Sequence, residues 1–179
     1  MKLQERPEWS RPERVDTIGE APRAVVIAAD ETERGALARR FDLLAIDRLE
    51  ARFTLRREGD AIVAVGQVTG AVTQACSASA APVPAIVDEP VTLRFVDDLL
   101  ADEEDMELSP DALDTLPIEH GAIDLGEAAA ETLALALDPF PRSPEAEAAL
   151  AQAGVLKEDE VGSAAFGALS GLKRKLSGE

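Results

Sequence analysis

An α+β fold, with an antiparallel sheet and helices packed on one of its faces, is predicted by three features of the sequence. Residues 48–57 alternate strictly between apolar and polar side chains, which is the period of a half-buried strand. The turn Glu58-Gly59-Asp60 leads into a β-branched run, AIVAVGQVTGAVTQA, that lacks helical spacing and reads as the second strand of a hairpin. Farther on, Asp124 with Glu127 three positions later opens an alanine- and leucine-rich stretch with helical spacing.

Taken in order, WSRPERVDTIG (8–18) and RAVVIAA (23–29) read as two strands or extended pieces separated by a turn at 20–22. Asp30 and Glu33 form a capping box ahead of a helix through Arg40, with Leu37 and Phe41 on its apolar stripe and Glu31, Arg34 and Arg39 opposite. In the alternating strand, Leu49, Ala51, Phe53 and Leu55 share one face, and Arg48, Glu50, Arg52, Thr54 and Arg56 the other. Gly66 and Gly70 lie inside a strand pattern with no Lys-Ser/Thr behind them, so a bulge or a close packing contact explains them better than a phosphate loop. Beyond Pro82 and Pro84, residues 86–96 read as a third strand, Pro90 marking an edge or bulge.

Residues 97–119 hold ten acids and no Lys or Arg, which predicts an exposed, flexible acidic loop. The helix opened by Asp124 carries Leu125, Ala128, Ala129, Thr132, Leu133, Ala136 and Leu137 on one side and stops at Asp138-Pro139. A short alanine-rich helix is expected at 145–153. In the ending SAAFGALSGLKRKL, Phe166, Leu169, Leu172 and Leu176 fall on one stripe beside Lys173, Arg174 and Lys175, giving a C-terminal amphipathic helix with a basic end. The organisation expected is one α+β domain over 1–155 and a tail over 156–179.

Composition narrows the function classes. Apolar residues make up 46% of the 179 but aromatics only 3%, so the core is built from small aliphatics and an aromatic-lined cofactor pocket or base-stacking row is disfavoured. The net charge of -17 is unevenly placed: residues 1–60 carry 12 basic and 13 acidic side chains, residues 61–179 carry 6 and 22. That second part repels a phosphate backbone and suits a basic protein partner, although plain solubility also accounts for an acidic pI. With one cysteine there is no internal disulfide, and the opening MKLQERPEWSRPERV offers no apolar run for secretion. No stretch approaches a membrane span of about 20 apolar residues, so the cytoplasm is the expected compartment.

Catalysis finds little support. His120 is the single histidine, and neither Cys76 nor any serine has a second base to complete a nucleophilic device. One Cys and one His do not make a zinc site, and the acidic run lacks the spaced calcium loop, so no metal or other cofactor is expected. The basic candidates for RNA contact are Arg52, Arg56 and Arg57 on the hairpin, with Lys175 in the tail. Because Phe53 faces away from the arginines, it reads as core and they read as a solvated strand face.

Several segments, in order along the chain, resemble the YceD-like family in its alphaproteobacterial-type branch. They are EWSRP, ETERGALARRF, VTQACSASAAPV, GAIDLGEAAAETLALALDPFPRSPEA and SAAFGALSGLKRKL. Two departures stand out: Cys76-Ser77-Ala78-Ser79 stands where some members have a Cys-x-x-Cys pair, and Ala165 precedes Phe166 where related endings have proline. The resemblance implies a non-enzymatic role in accumulation of large-subunit ribosomal RNA. Joined to the charge map, it points to a large-subunit ribosomal protein or pre-ribosomal particle as partner. The contacts expected are Asp102, Glu103, Glu104 and Asp105 in the acidic loop, and Phe166, Leu169, Leu172, Lys173 and Arg174 in the tail. Direct contact of the hairpin arginines with ribosomal RNA is the alternative.

Overall fold

The computed structural model describes residues 7–97 and 114–155. Strands β1 (Pro12–Arg14) and β2 (Arg23–Ala28) flank a 3-10 turn at Val15–Thr17; helix α1 (Glu31–Arg40) follows, then β3 (Ala45–Glu58), β4 (Ala61–Ala75) and β5 (Pro82–Asp97). After the gap in the description come β6 (Asp114–Ile118), β7 (Ala122–Asp124), α2 (Leu125–Leu135) and α3 (Ala146–Gln152). The chain divides into two compact units, one formed by residues up to Gln74 and 84–139, the other by Ala75–Val83 and the residues from Phe140 on.

The first unit holds a five-stranded sheet in the order β2-β3-β4-β5-β6 and a two-stranded ribbon, β1 with β7. The β3–β4 hairpin pairs continuously from Glu58↔Ala61 to Ala45↔Thr73, broken by one shift between Ile46 and Arg48. Leu49, Ala51, Phe53 and Leu55 are buried as the alternation predicts, and they join Ile62, Ala64, Val68 and Val72 from β4 in one core cluster. Leu37 of α1 and Leu125, Ala129 and Leu133 of α2 enter the same cluster, so both helices cover the inward face of the sheet. Gly66 is a close-packing site: a Cβ there would lie 2.0 Å from the carbonyl oxygen of Arg52 and 2.9 Å from the Phe53 ring.

The helix caps differ. Asp30 and Glu33 form the full reciprocal capping box. Asp124 accepts from the backbone N–H of Gly126 and Glu127, but the Glu127 side chain turns away to Arg40, and α2 ends at Leu135, ahead of Asp138-Pro139. Arg34, expected on the solvent side of α1, reaches back to the carbonyls of Ala29 and Ile46.

Two expectations are corrected. Residues 8–18 are not a continuous strand: only Pro12–Arg14 pairs, with β7, and the turn after it is closed by Thr17 Oγ1 donating to the Arg14 carbonyl. Nor is 97–119 a loop throughout, because Asp114–Ile118 forms β6, parallel to β5 from Leu93↔Asp114 to Asp97↔Ile118, which makes the sheet mixed. Alternation of Leu116 and Ile118 toward the core outweighs the poor strand propensity of Asp114 and Pro117 at a sheet edge. The described pairing of β6 with β5 begins only at Leu93, which leaves Pro90 at an edge position as its missing N–H requires. Positions 98–113 and 156–179, including the rest of the acidic run and the tail helix, lie outside the described residues.

In the second unit the loop between β4 and β5 is closed by Cys76 N–H donating to Ala81 O and Ala80 N–H donating to Cys76 O, both 2.8 Å. Ser77 N–H donates to Pro141 O at 2.8 Å, and α3 stands where the alanine-rich helix was expected.

Candidate functional site

Three of the sequence segments that lie far apart in the chain converge in a clasp. Trp9 is fully buried, and its backbone runs against α2 so closely that a Cβ on Gly126 would sit 2.3 Å from the Trp9 carbonyl oxygen. Ser10 Oγ and the Arg11 N–H, the latter at 2.8 Å, both donate to the Asp124 carboxylate that also caps α2. The Arg11 guanidinium grips Glu33 of α1 through two hydrogen bonds of 2.7 and 2.9 Å. Arg40 binds Glu127 through 2.6 and 2.9 Å contacts and Glu8 at 3.0 Å, so one cation ties the N-terminal segment, α1 and α2 together. These hydrogen-bonded carboxylates raise the Arg40 pKa further, Glu127 most of all. EWSRP, ETERGALARRF and IDLGE thus act on one another, and the clasp is a structural device whose charges are saturated internally.

Beside the clasp opens a cleft of about 360 Å³. Phe95 of β5, Leu116 of β6, Ile123 of β7 and Ala128 of α2 supply apolar lining, with Pro7, Pro12 and Pro117 stiffening the walls. Glu119 and His120 stand on the β6–β7 turn, and Glu127 and Glu131 on α2. His120 (φ 53°) and Gly121 (φ 74°) are both left-handed, the conformation a two-residue hairpin turn demands, and the Glu119–Ala122 bridge closes it. Glu127 is held by Arg40, whereas the side chains of Glu119 and Glu131 have no hydrogen bond or ion pair among the described residues. Partial burial, and then the neighbouring charge of Glu127, push the Glu131 carboxyl above its ordinary range, against the weaker pull of Arg40.

The arginine candidates separate by strand parity. Arg57 pairs with Ile62 on the inward side and donates to the carbonyls of Val15 (2.5 Å) and Ile18 (3.1 Å), so it clamps the N-terminal turn. Arg56 points outward and pairs with Glu58. Arg52 is exposed and unpaired between Val26 and Gln67, and the surface around it is open, with Val26, Val65 and Ile86 at 66%, 45% and 74% exposure. Arg48 on β3 and Arg94 on β5 are also exposed and without an ion pair among the described residues, and exposed arginines within strand patterns were the signal that would have found them. The acidic-loop and tail candidates, Asp102 to Asp105 and Phe166 to Lys175, lie outside the described residues.

Cys76 is buried in the second unit. Hydrogen bonds from the Ser79 hydroxyl first, then from the Ser143 N–H and hydroxyl, hold its thiol down to about 6 against burial, which pushes it up. Ser79 and Ser143 are polar neighbours and neither is a general base, so no nucleophilic pair is assembled there.

Clasp, cleft and outer sheet face belong to one α+β scaffold. Among the described residues there is no group of three or more His, Cys, Asp or Glu side chains that could hold a metal ion, and no helix long and apolar enough to cross a membrane. Residues 64–173, more than half of the chain, match the family described as Large ribosomal RNA subunit accumulation protein YceD, and the chain belongs to that family. Membership gives it a role in the accumulation of large-subunit ribosomal RNA. The matched stretch contains the cleft helix but begins after EWSRP and α1, so the clasp joins matched and unmatched parts of the sequence. No curated protein and no solved structure gives a match.

Proposed function

We propose that the chain is a non-enzymatic, cytoplasmic assembly factor that supports large-subunit ribosomal RNA by holding a basic ribosomal protein or assembly intermediate on its acidic surface. The observation that carries this reading is where the charges go. Arg11, Arg14, Arg23, Arg40, Arg56 and Arg57 are engaged by carboxylates or carbonyls within the fold. Between residues 114 and 155 there are eight acids against Arg142 alone. Acids therefore far outnumber bases in the second part, and Asp102, Glu103, Glu104 and Asp105 add to the excess in sequence. Long-range attraction to a basic partner accelerates encounter and weakens with salt. In the tail, Phe166, Leu169, Leu172, Lys173 and Arg174 suit a further apolar and basic contact.

A second reading is favoured by the exposed arginines Arg48 and Arg52 on β3 and Arg94 on β5, which have no ion pair among the described residues and could meet a phosphate backbone, with Lys175 the basic candidate in the tail sequence. Copurification with tagged full-length protein, at low and raised salt and with or without ribonuclease, separates the two. Basic large-subunit proteins retained after ribonuclease and released by salt are the expected result. Loss of all partners on ribonuclease treatment would transfer the assignment to these arginines.

A further inference from the structure

We infer that the cleft between the β6–β7 turn and α2 is a docking groove for a segment of a basic protein in which Lys or Arg alternates with apolar residues. This rests on the assembly-factor reading and assigns that reading a place on the fold. The cleft combines two properties seldom found together on a solvated acidic surface. Its accessible apolar lining is Leu116, Pro12 and Pro117, backed by the buried Phe95, Ile123 and Ala128, and Glu119 on the turn and Glu131 on the helix each bring a carboxylate without an ion pair among the described residues.

Each property limits the occupant. An apolar side chain fits against the lining, and a cation is attracted to the carboxylate at each wall. The long stems of Lys and Arg lie along apolar surface while their heads reach outward, so one extended segment can satisfy lining and walls together. An anionic strand of nucleic acid is opposed by both carboxylates, and Glu127 and Asp124 behind them are already engaged in the clasp. Glu131 is exposed, with its carboxyl raised by partial burial and by the neighbouring Glu127 charge, and an incoming cation offsets both effects. Stiff walls at Pro12 and Pro117 hold the groove in shape before binding, which lowers the ordering cost of association.

The test uses the full chain and two short fluorescein-labelled peptides, one alternating leucine with lysine, the other alternating serine with lysine, followed by fluorescence anisotropy. The Glu119→Gln/Glu131→Gln chain is compared with Glu20→Gln/Glu89→Gln, which removes the same charge at exposed sites outside the cleft, and melting curves confirm that both variants fold. Expected are binding of the leucine peptide about tenfold weaker for the cleft pair and within about twofold of wild type for the remote pair. Equal losses in the two variants, equal affinity for the two peptides, or no binding by wild type would each overturn the groove.

The assembly reading is scored separately, by capture of identified large-subunit proteins. Wild-type and cleft-variant chains that capture them equally well overturn the groove and leave that reading intact. A chain that binds the leucine peptide through the cleft yet captures no ribosomal protein leaves the groove and removes the reading.

Discussion

The clasp and the cleft share a wall of α2, yet they use charge in opposite ways. In the clasp, every carboxylate at the junction has a partner: Glu33 has Arg11, Glu8 and Glu127 have Arg40, and Asp124 has Ser10 and backbone N–H groups. In the cleft, one turn along the same helix, the Glu131 side chain has no such partner among the described residues, and neither has that of Glu119 across the groove. Satisfied charges hold a fold together; unsatisfied ones beside an apolar lining are left for another molecule. The residues that make the N-terminal segment recognisable in sequence therefore belong to the scaffold, and the groove stands next to it.

The largest loss is expected at the backbone contact between Trp9 and Gly126. Gly126→Ala places a methyl group 2.3 Å from the Trp9 carbonyl oxygen, so helix and N-terminal segment must part; a loss of about 3 kcal/mol in thermal or urea unfolding is expected. Asp124→Ala removes a cap and two clasp bonds together, for about 2 kcal/mol, and Ser10→Ala removes one of those bonds, for about 1 kcal/mol. If Asp124→Ala and Ser10→Ala prove equal by urea midpoint, neither the cap nor the Arg11 bond contributes and the Ser10 bond alone accounts for that carboxylate.

Arg40→Gln is smaller, about 1 kcal/mol, because the network is partly exposed, and its effect should shrink as salt is raised. The smallest change sharpens the contrast: Glu131→Gln should stabilise slightly at neutral pH. A carboxyl whose pKa is raised on folding carries a penalty when ionised, present in full above its folded value and relieved as pH falls through it. The difference between variant and wild type should accordingly vanish in acid, as unfolding curves across pH would record.

Much of the sheet was legible because its signals are local. Strict alternation along β3 and the Asp30–Glu33 box each occupy a few residues, and both form as read. The same alternation put Arg57 in register with Leu55 and Phe53; grouping it with Arg52 and Arg56 by residue type concealed its inward parity. β6 was hidden because a run of acids dominated five residues whose Leu116 and Ile118 alone carry strand period. The clasp was not legible at all, since Arg40 and Glu127 are 87 positions apart and only the folded sheet brings them together. Glu131 left a faint trace, being four residues from Glu127 on one helix face with no base nearby in sequence to neutralise it.

The central claim, that acidic surface rather than arginines carries the role in large-subunit assembly, is tested most directly by complementation. Cells lacking the protein are supplied with one of two full-length variants, and the ratio of large- to small-subunit ribosomal RNA is measured. The first variant carries Asp102→Asn, Glu103→Gln, Glu104→Gln and Asp105→Asn with Glu119→Gln and Glu131→Gln; the second carries Arg48→Gln, Arg52→Gln and Arg94→Gln. The account predicts that the arginine variant restores the ratio and the acid variant does not. Restoration by the acid variant together with failure of the arginine variant would contradict it and assign the function to the outer face of the sheet.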